Sequence, residues 1–341
     1  MTDMNDPNTD LFVPPTLVLF ADALMVQSAR IDDVTSSTPP TLTPVLIGYA
    51  DALTGGTDDD VIEHEGRHWI VGPRAKDAMP YVAFGEQLLK DQVVLPVLLK
   101  TLEAQYAPVA AWITALPSRW GVNQQRAMTM GQIIRGSQWI DVSGQVLSIP
   151  EAILFGLVID DAFEISDDIE QAWMVVYIGN EDVDCAVVHE GALVDGKGWS
   201  YGHGLAHPLH QIREEIRHST STCYSLAELW DLALNRELPP GGNSNGLGVI
   251  RAQVAQHAHM LTWLGDRLND VATLYDQWSA DYPDLRVLVA SETVLMADAP
   301  DLQALLPDLS FIQSGPHAIV AGLQKFAVYS AISAQQQEEE E

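Results

Sequence analysis

The stretch MVVYIGNEDVDCAVVHEGALV, residues 174–194, is made up largely of two strand-like runs separated by a polar connection. The runs are AWMVVYIG (172–179) and CAVVHEGALV (185–194), both rich in valine and other strand-forming residues. Short apolar runs of this length on either side of a polar turn are typical of a β-hairpin. The segment therefore predicts a buried hairpin near the middle of the chain.

The two halves of the chain show a weak similarity in their order of elements. Each half opens with a strand hairpin and continues into helices. Pro150 stands where a helix tolerates proline, in the first turn. Strands are predicted at Thr16–Phe20, 44–50, 60–72, 109–117, 144–148 and 284–290. Helices are predicted at 81–107, 121–135, from Pro150, 205–218, 225–236, 247–280, 298–306 and 315–334.

Length and charge narrow the class of protein. A chain of 341 residues has the size of two domains. Its 47 acidic and 17 basic residues give a net charge of −30, which opposes direct contact with nucleic acid phosphates and favours a basic partner. A solubility or salt-adaptation role explains the same charge.

Targeting and redox features are absent from the sequence as given. No apolar run approaches 18 residues, and the first ten residues, MTDMNDPNTD, lack a basic and an apolar signal region. Cys185 and Cys223 are too few for a disulfide framework. These features predict a cytoplasmic protein without a membrane span.

HEGRH, residues 64–68, matches the letters of the H-E-x-x-H zinc-protease motif. That chemistry needs a helix so that both histidines face the metal. Glu65 and Gly66 instead lie between two strand-like runs, which predicts a hairpin turn and argues against a metalloprotease.

A second histidine cluster lies in the predicted helix at 205–218. On a helix, His207, His210 and Glu214 fall near one face, and His203 lies just before it. Three imidazoles and a carboxylate suit zinc. A polar helix face with several histidines accounts for the same letters, so a metal-binding module at 203–214 remains one alternative.

The order of motifs along the chain resembles that of the plasmid-segregation actins, the ParM/StbA group of actin-like ATPases. The resemblance covers residues 16–330 and rests on several short stretches. They are LVLFADALMVQSAR (17–30), HWIVGPRAKD (68–77), ITALPSRW (113–120), SIPEAI (148–153), residues 174–194 and HAIVAGLQKFA (317–327), with VLVASETVLM (287–296) at the place of the adenosine loop.

This resemblance implies an α/β, actin-like (ribonuclease H-like) fold with two domains around a central cleft. The implied divisions follow the family's order of domains. They are a flexible tail at 1–15, domain I at 16–164, domain II at 165–314, a helix at 315–334 that returns to domain I, and an acidic tail at 335–341.

The resemblance also implies positions for ATP and Mg²⁺. Glu151 and Asp184 match the catalytic residues, with Glu151 at the position that orients the attacking water. Asp22 and Asp184 match the metal-site aspartates. The implied nucleotide-binding positions are Asp22, Gly179, Asp184 and Ser291.

The phosphate loops depart from the family pattern in ways that oppose ATP. Glycines let backbone N–H groups approach phosphate, but Leu24 and Val26 replace two of them, and Tyr177 replaces an aspartate. Glu181 and Asp182 place carboxylates where phosphate oxygens belong. Two like charges about 4 Å apart repel by about 4 kcal/mol at an effective dielectric near 20. The sequence therefore predicts weakened or lost nucleotide binding.

Three hypotheses follow. The first is a divergent segregation-type actin that has lost or nearly lost ATP hydrolysis and acts through filaments, oligomers or a basic adaptor protein. The second is an active ATPase of the same fold with altered loops, supported by Asp22, Glu151 and Asp184. The third is the metal-binding module at 203–214.

Overall fold

The computed structural model describes the chain in segments that together hold fourteen strands and four α-helices. The described residues are 15–22, 25–31, 41–44, 47–49, 61–64, 67–71, 79–81, 110–118, 143–180, 182–220, 229, 258–291, 309–313 and 315–340. The strands are β1 (Thr16–Asp22), β2 (Met25–Ile31), β3 (Thr41–Pro44), β4 (Ile47–Tyr49), β5 (Val61–His64), β6 (Arg67–Val71), β7 (Met79–Tyr81), β8 (Ala111–Leu116), β9 (Ser143–Ser148), β10 (Trp173–Ile178), β11 (Val183–His189), β12 (Ala192–Tyr201), β13 (Arg286–Ser291) and β14 (Leu309–Gln313). The helices are α1 (Ile149–Val158), α2 (Ala206–Thr220), α3 (Ala258–Ser279) and α4 (Gly315–Glu340), with a short 3-10 helix at Asp167–Glu170.

Two five-stranded sheets share one topology. The first sheet has the order β3-β2-β1-β8-β9, and the second sheet has the order β12-β11-β10-β13-β14. In each sheet an antiparallel hairpin gains a third antiparallel strand on one side and two parallel strands on the other. A helix follows the last strand of each sheet, α1 after β9 and α4 after β14. The repeat confirms the α/β class and the prediction that each half opens with a hairpin.

Strand β10 is buried on both faces and separates two apolar cores. Because successive strand residues point to opposite faces, its even-numbered side chains pack with α2 and α3, and its odd-numbered ones with α1 and α4. The second of these cores also contains Val18, Phe20 and Ile113 of the first sheet. One continuous core is therefore shared by both sheets.

Helix α1 begins where Pro150 predicts it. The backbone N–H of Ser148 donates to Glu151 Oε2 at 2.8 Å, and the backbone N–H of Glu151 donates to Ser148 Oγ at 3.2 Å. This reciprocal pair is a capping box, which satisfies N–H groups that the first turn leaves without helical partners. Proline in the first turn costs no helical hydrogen bond.

Helix α4 crosses α1 at glycines and continues onto the first sheet. Gly156 and Gly322 lie at the crossing, and a Cβ at Gly322 would overlap the carbonyl oxygen of Ala152. Past the crossing, Lys325 Nζ donates to the carbonyl oxygen of Ile159 at 2.7 Å. Because α4 also contacts β1, β2, β8 and β13, this helix packs against both sheets.

The third sheet has four strands in the order β5-β6-β4-β7. Strands β5 and β6 pair antiparallel, with Glu63 opposite His68 and His64 opposite Arg67. This pairing confirms the hairpin at residues 60–72. Both histidines lie on strands, so the helical geometry of a zinc protease is excluded.

Several elements differ from the sequence predictions. Residues 185–194 are not one strand, because Glu190 (φ 53°) and Gly191 (φ 74°) reverse the chain and β12 begins at Ala192. Strands β7 and β14 were not predicted, and β3 begins at Thr41, before the predicted strand at 44–50. Helix α4 continues to Glu340, so most of the predicted acidic tail is helical.

Several predicted elements lie outside the described residues. They are the tail at 1–14, the helices at 81–107, 121–135 and 298–306, residues 247–257 of the long helix, and the helix at 225–236 apart from Leu229. Within the described helices, none combines the length and the apolar character needed to cross a membrane.

Candidate functional site

The candidate site lies where β11 of the second sheet meets the end of β8 of the first. Asp184 on β11 has no exposed surface, and Ser118, two residues past β8, is 1% exposed. The backbone N–H of Ser118 donates to Asp184 Oδ2 at 2.8 Å, and its hydroxyl donates to Oδ1 at 2.5 Å. A buried carboxyl group is thus bonded through both oxygens to a residue of the other sheet.

Tyr177 fills the space beside the turn that follows β10. It is 2% exposed, and its ring meets the Phe20 ring of β1 edge-to-face, with centroids 6.2 Å apart. A Cβ at Gly179 would lie 2.7 Å from the Tyr177 hydroxyl. Gly179, which the family resemblance assigns to phosphate contact, therefore has to be a glycine here because the Tyr177 ring leaves no room for a side chain.

The backbone of the β10–β11 turn is bonded within the protein. The N–H of Gly179 donates to the Asp182 carbonyl at 2.9 Å. The carbonyls of Gly179 and Asn180 accept from Leu205 and Ala206, at 3.0 and 2.8 Å. The start of α2 therefore packs directly on the turn.

Gly204 allows this close approach. A Cβ there would lie 2.5 Å from the carbonyl oxygens of both Gly179 and Asn180. Asn180 and Asp182 are themselves buried, at 1% and 4% exposure. The described part of the turn is closed over by α2 rather than open to a ligand.

The carboxylate of Glu151 serves two backbone groups. Its Oε2 accepts from Ser148 in the capping box, and its Oε1 accepts from the N–H of Leu193 on β12 at 3.2 Å. Glu151 therefore joins α1 to the second sheet. Each of its oxygens accepts one backbone hydrogen bond, one at the start of α1 and one from the second sheet.

The five predicted site residues lie on five different elements: Asp22 on β1, Glu151 on α1, Gly179 just after β10, Asp184 on β11 and Ser291 on β13. Tyr177 on β10 pairs with Asp184 on β11, and Ile178 pairs with Ser291 on β13. The hydroxyl of Ser291 is buried and donates to the Ile178 carbonyl at 3.2 Å. Asp22 ends β1, opposite Met25 in the first hairpin.

Sequence reasoning missed Ser118. It lies in ITALPSRW, one of the stretches that carry the family resemblance, but its role depends on Asp184, 66 positions later. Phe20 was likewise counted only as a strand residue. The available signal for Ser118 was its position directly after a buried strand and Pro117.

The described residues at the implied Mg²⁺–ATP site are bonded to one another in this arrangement. A phosphate cradle needs backbone N–H groups that point at the ligand, but those of Gly179, Leu205 and Ala206 are bonded within the protein. Asp184, the implied metal ligand, accepts from Ser118 through both oxygens.

The histidine cluster does not form a metal site. The rings of His203 and His207 lie 5.0 Å apart, and no group of three or more His, Cys, Asp or Glu side chains in the described residues could hold a metal ion. Burial lowers the pKa of His207, and nearby His203 lowers it further. Burial also lowers the pKa of His210. The predicted metal module at 203–214 is therefore wrong for these residues, whose histidines form a polar helix face.

No known family profile and no curated protein matches the chain. Solved structures do match over nearly its full length. Apo ParM of pSK41 has a TM-score of 0.59 at 11% identity and covers 96% of this chain and 99% of its own. The archaeal actin homologue Ta0583 in complex with ADP has a TM-score of 0.61 at 10% identity, covering 94% and 99%. The MamK double helical filament has a TM-score of 0.61 at 11% identity, covering 92% and 98%. Together with the repeated sheets, these similarities show that the chain has the actin-like fold found in ParM.

Proposed function

We propose that this chain is a cytoskeletal or segregation protein of the actin-like fold that assembles, or binds its partner, without ATP hydrolysis. The observation that carries the proposal is the closed β10–β11 turn. The N–H of Gly179, which the resemblance assigns to the nucleotide, and those of Leu205 and Ala206 beside it donate to carbonyls of the chain itself. A nucleotide would have to break these hydrogen bonds before it gained its own.

The position of Glu151 supports the same proposal. A general base must lie within hydrogen-bond reach of the proton that it takes. The carboxylate of Glu151 accepts from the backbone N–H groups of Ser148 and Leu193, and this arrangement stabilises the first turn of α1. Glu151 acts as a structural cap that links α1 to β12.

Self-association is supported by the fold and modulated by charge. MamK, one of the similar structures, is a double helical filament. Copies that each carry a net charge of −30 repel one another, and salt screens this repulsion over about 10 Å at 0.1 M. We therefore expect assembly to strengthen as salt rises. A basic adaptor protein would supply the same compensation in the cell.

Light scattering of the purified protein, titrated with and without Mg²⁺–ATP at several salt concentrations, tests the proposal. Equal assembly in both arms, rising with salt, is expected. Assembly only with Mg²⁺–ATP would reject the proposal in favour of an active ATPase. Absence of assembly in both arms would reject self-association and leave a monomeric partner-binding protein.

The Glu151→Gln variant separates the ATPase from the proposal more directly. Glutamine keeps the side-chain shape and one acceptor oxygen but removes the charge. If Glu151 is only a cap, the variant alters thermal stability and leaves phosphate release at the same background level as the wild type. A loss of measurable ATP hydrolysis on substitution would identify Glu151 as catalytic. Light scattering of the same samples shows whether the variant still assembles.

A further inference from the structure

We propose that four buried residues form a latch that holds the two sheets at one fixed separation in the absence of nucleotide. The cleft latch consists of Ser118 and Phe20 from the first sheet and its following turn, and Asp184 and Tyr177 from the second sheet. The inference rests on the proposed loss of nucleotide binding. In place of a nucleotide, contacts between these residues would hold the two sheets together.

The polar half of the cleft latch is the pair Ser118–Asp184. The two residues belong to different sheets, are 0–1% exposed and share two hydrogen bonds of 2.8 and 2.5 Å. Separating the sheets would remove both Ser118 donors from a buried carboxyl group, which is unfavourable unless water replaces them. Ser118 Oγ also lies against β12, where a Cβ at Gly198 would be 3.5 Å from it.

The apolar half is the contact between Phe20 and Tyr177. Their rings meet at an interplanar angle of 84°, the edge-to-face geometry that aromatic pairs prefer. Both belong to the core that also contains Ile113 of the first sheet. Opening the cleft would expose this core to water, so the polar and apolar contacts oppose the same motion.

The Ser118→Ala variant tests the cleft latch because it removes the hydroxyl donor and keeps the backbone. Hydrogen exchange of peptides that cover residues 111–118 and 183–189 reports on the contact directly, since the Ser118 N–H is itself a donor. Small-angle scattering of the same monomer gives its radius of gyration. Loss of this buried hydrogen bond predicts exchange about tenfold faster in both peptides.

Two further variants control the experiment. Ser200→Ala removes a buried hydroxyl from β12, opposite Asp184 in the strand pairing, that makes no hydrogen bond in the described residues. It should exchange like the wild type. Ser118→Thr restores a hydroxyl donor and should return exchange and radius toward wild-type values, which a general loss of stability would not do.

The outcomes separate the cleft latch from the proposed function. Wild-type exchange and radius in Ser118→Ala would overturn the latch and leave the loss of ATPase intact. A contraction of the wild-type protein on addition of Mg²⁺–ATP would overturn both. Faster exchange in Ser118→Ala, rescued by Ser118→Thr and unchanged by Mg²⁺–ATP, is the result that we expect.

Discussion

Gly322 of α4 lies against the carbonyl oxygen of Ala152 on α1, with no room for a side chain between them. The same crossing brings Gly156 within van der Waals distance, since a Cβ there would lie 3.4 Å from Gly322 Cα. The two helices that follow the two sheets thus meet backbone to backbone. Their packing depends on residues without side chains.

Gly322→Ala should therefore destabilise the protein. The added methyl group forces α4 away from α1, and overpacking of this kind costs about 1–3 kcal/mol. Chemical denaturation gives the change in the free energy of unfolding. Gly265→Ala is the matched control, because Gly265 lies on α3 with open space around it. That variant should gain about 0.8–1 kcal/mol from helix propensity, and equal losses in both variants would contradict the close packing.

Lys325→Met should weaken the end of α1. The ammonium group donates to the carbonyl oxygens of Ile159 at 2.7 Å and Gly156 at 3.4 Å, which helix ends otherwise leave without partners. We expect a loss of about 1–2 kcal/mol in the free energy of unfolding. Lys197→Met removes an ion pair with the exposed Asp281 and should cost less than about 1 kcal/mol. The prediction fails if both substitutions cost the same.

Glu190→Asn should stabilise the β11–β12 hairpin. Glu190 and Gly191 both have positive φ, as a two-residue type I′ turn requires, and asparagine tolerates this conformation better than glutamate. Because the left-handed conformation costs most side chains about 1–2 kcal/mol, we expect a gain of up to about 1 kcal/mol in thermal or chemical unfolding. Gly191→Ala is the opposite control and should lose stability, since its φ is 74°.

Acidification should destabilise the start of α2. Burial lowers the pKa of His207 and His210 in the folded protein, so the unfolded chain binds protons more readily. This stability contribution is complete above the unfolded pKa of about 6.5 and is lost as the pH falls below it. We expect the fall in melting temperature from pH 7.5 to 5.5 to be smaller in the double variant His207→Gln, His210→Gln. Equal pH dependence in both proteins would contradict the prediction.

Local sequence patterns predicted much of the fold. The hairpin of β10 and β11, the pairing of β5 with β6 and the helix that begins around Pro150 depend on neighbouring residues, and the structure confirms them. The prediction of one strand at 185–194 was wrong because Glu190 and Gly191 form a turn within that segment. Strand β12 was missed because Gly196, Lys197 and Gly198 interrupt its apolar alternation.

The candidate site was less predictable, because its geometry depends on contacts between distant residues. The resemblance named Asp184 and Glu151, but their hydrogen-bond partners, Ser118 and Leu193, lie 66 and 42 positions away. A sequence motif identifies a carboxylate without showing which donors already occupy it. That information exists only once the two sheets are packed together.

The packing of α4 on β1 and β2 also has a consequence for synthesis of the protein. The first sheet emerges from the ribosome early, but Ile319 and Leu323, which cover its apolar side chains Val18 and Phe20, are made some 300 residues later. Exposed apolar surface and unfinished sheets are prone to aggregation. We therefore expect a chain that ends before residue 315 to expose Val18 and Phe20 and to be less soluble than the full chain.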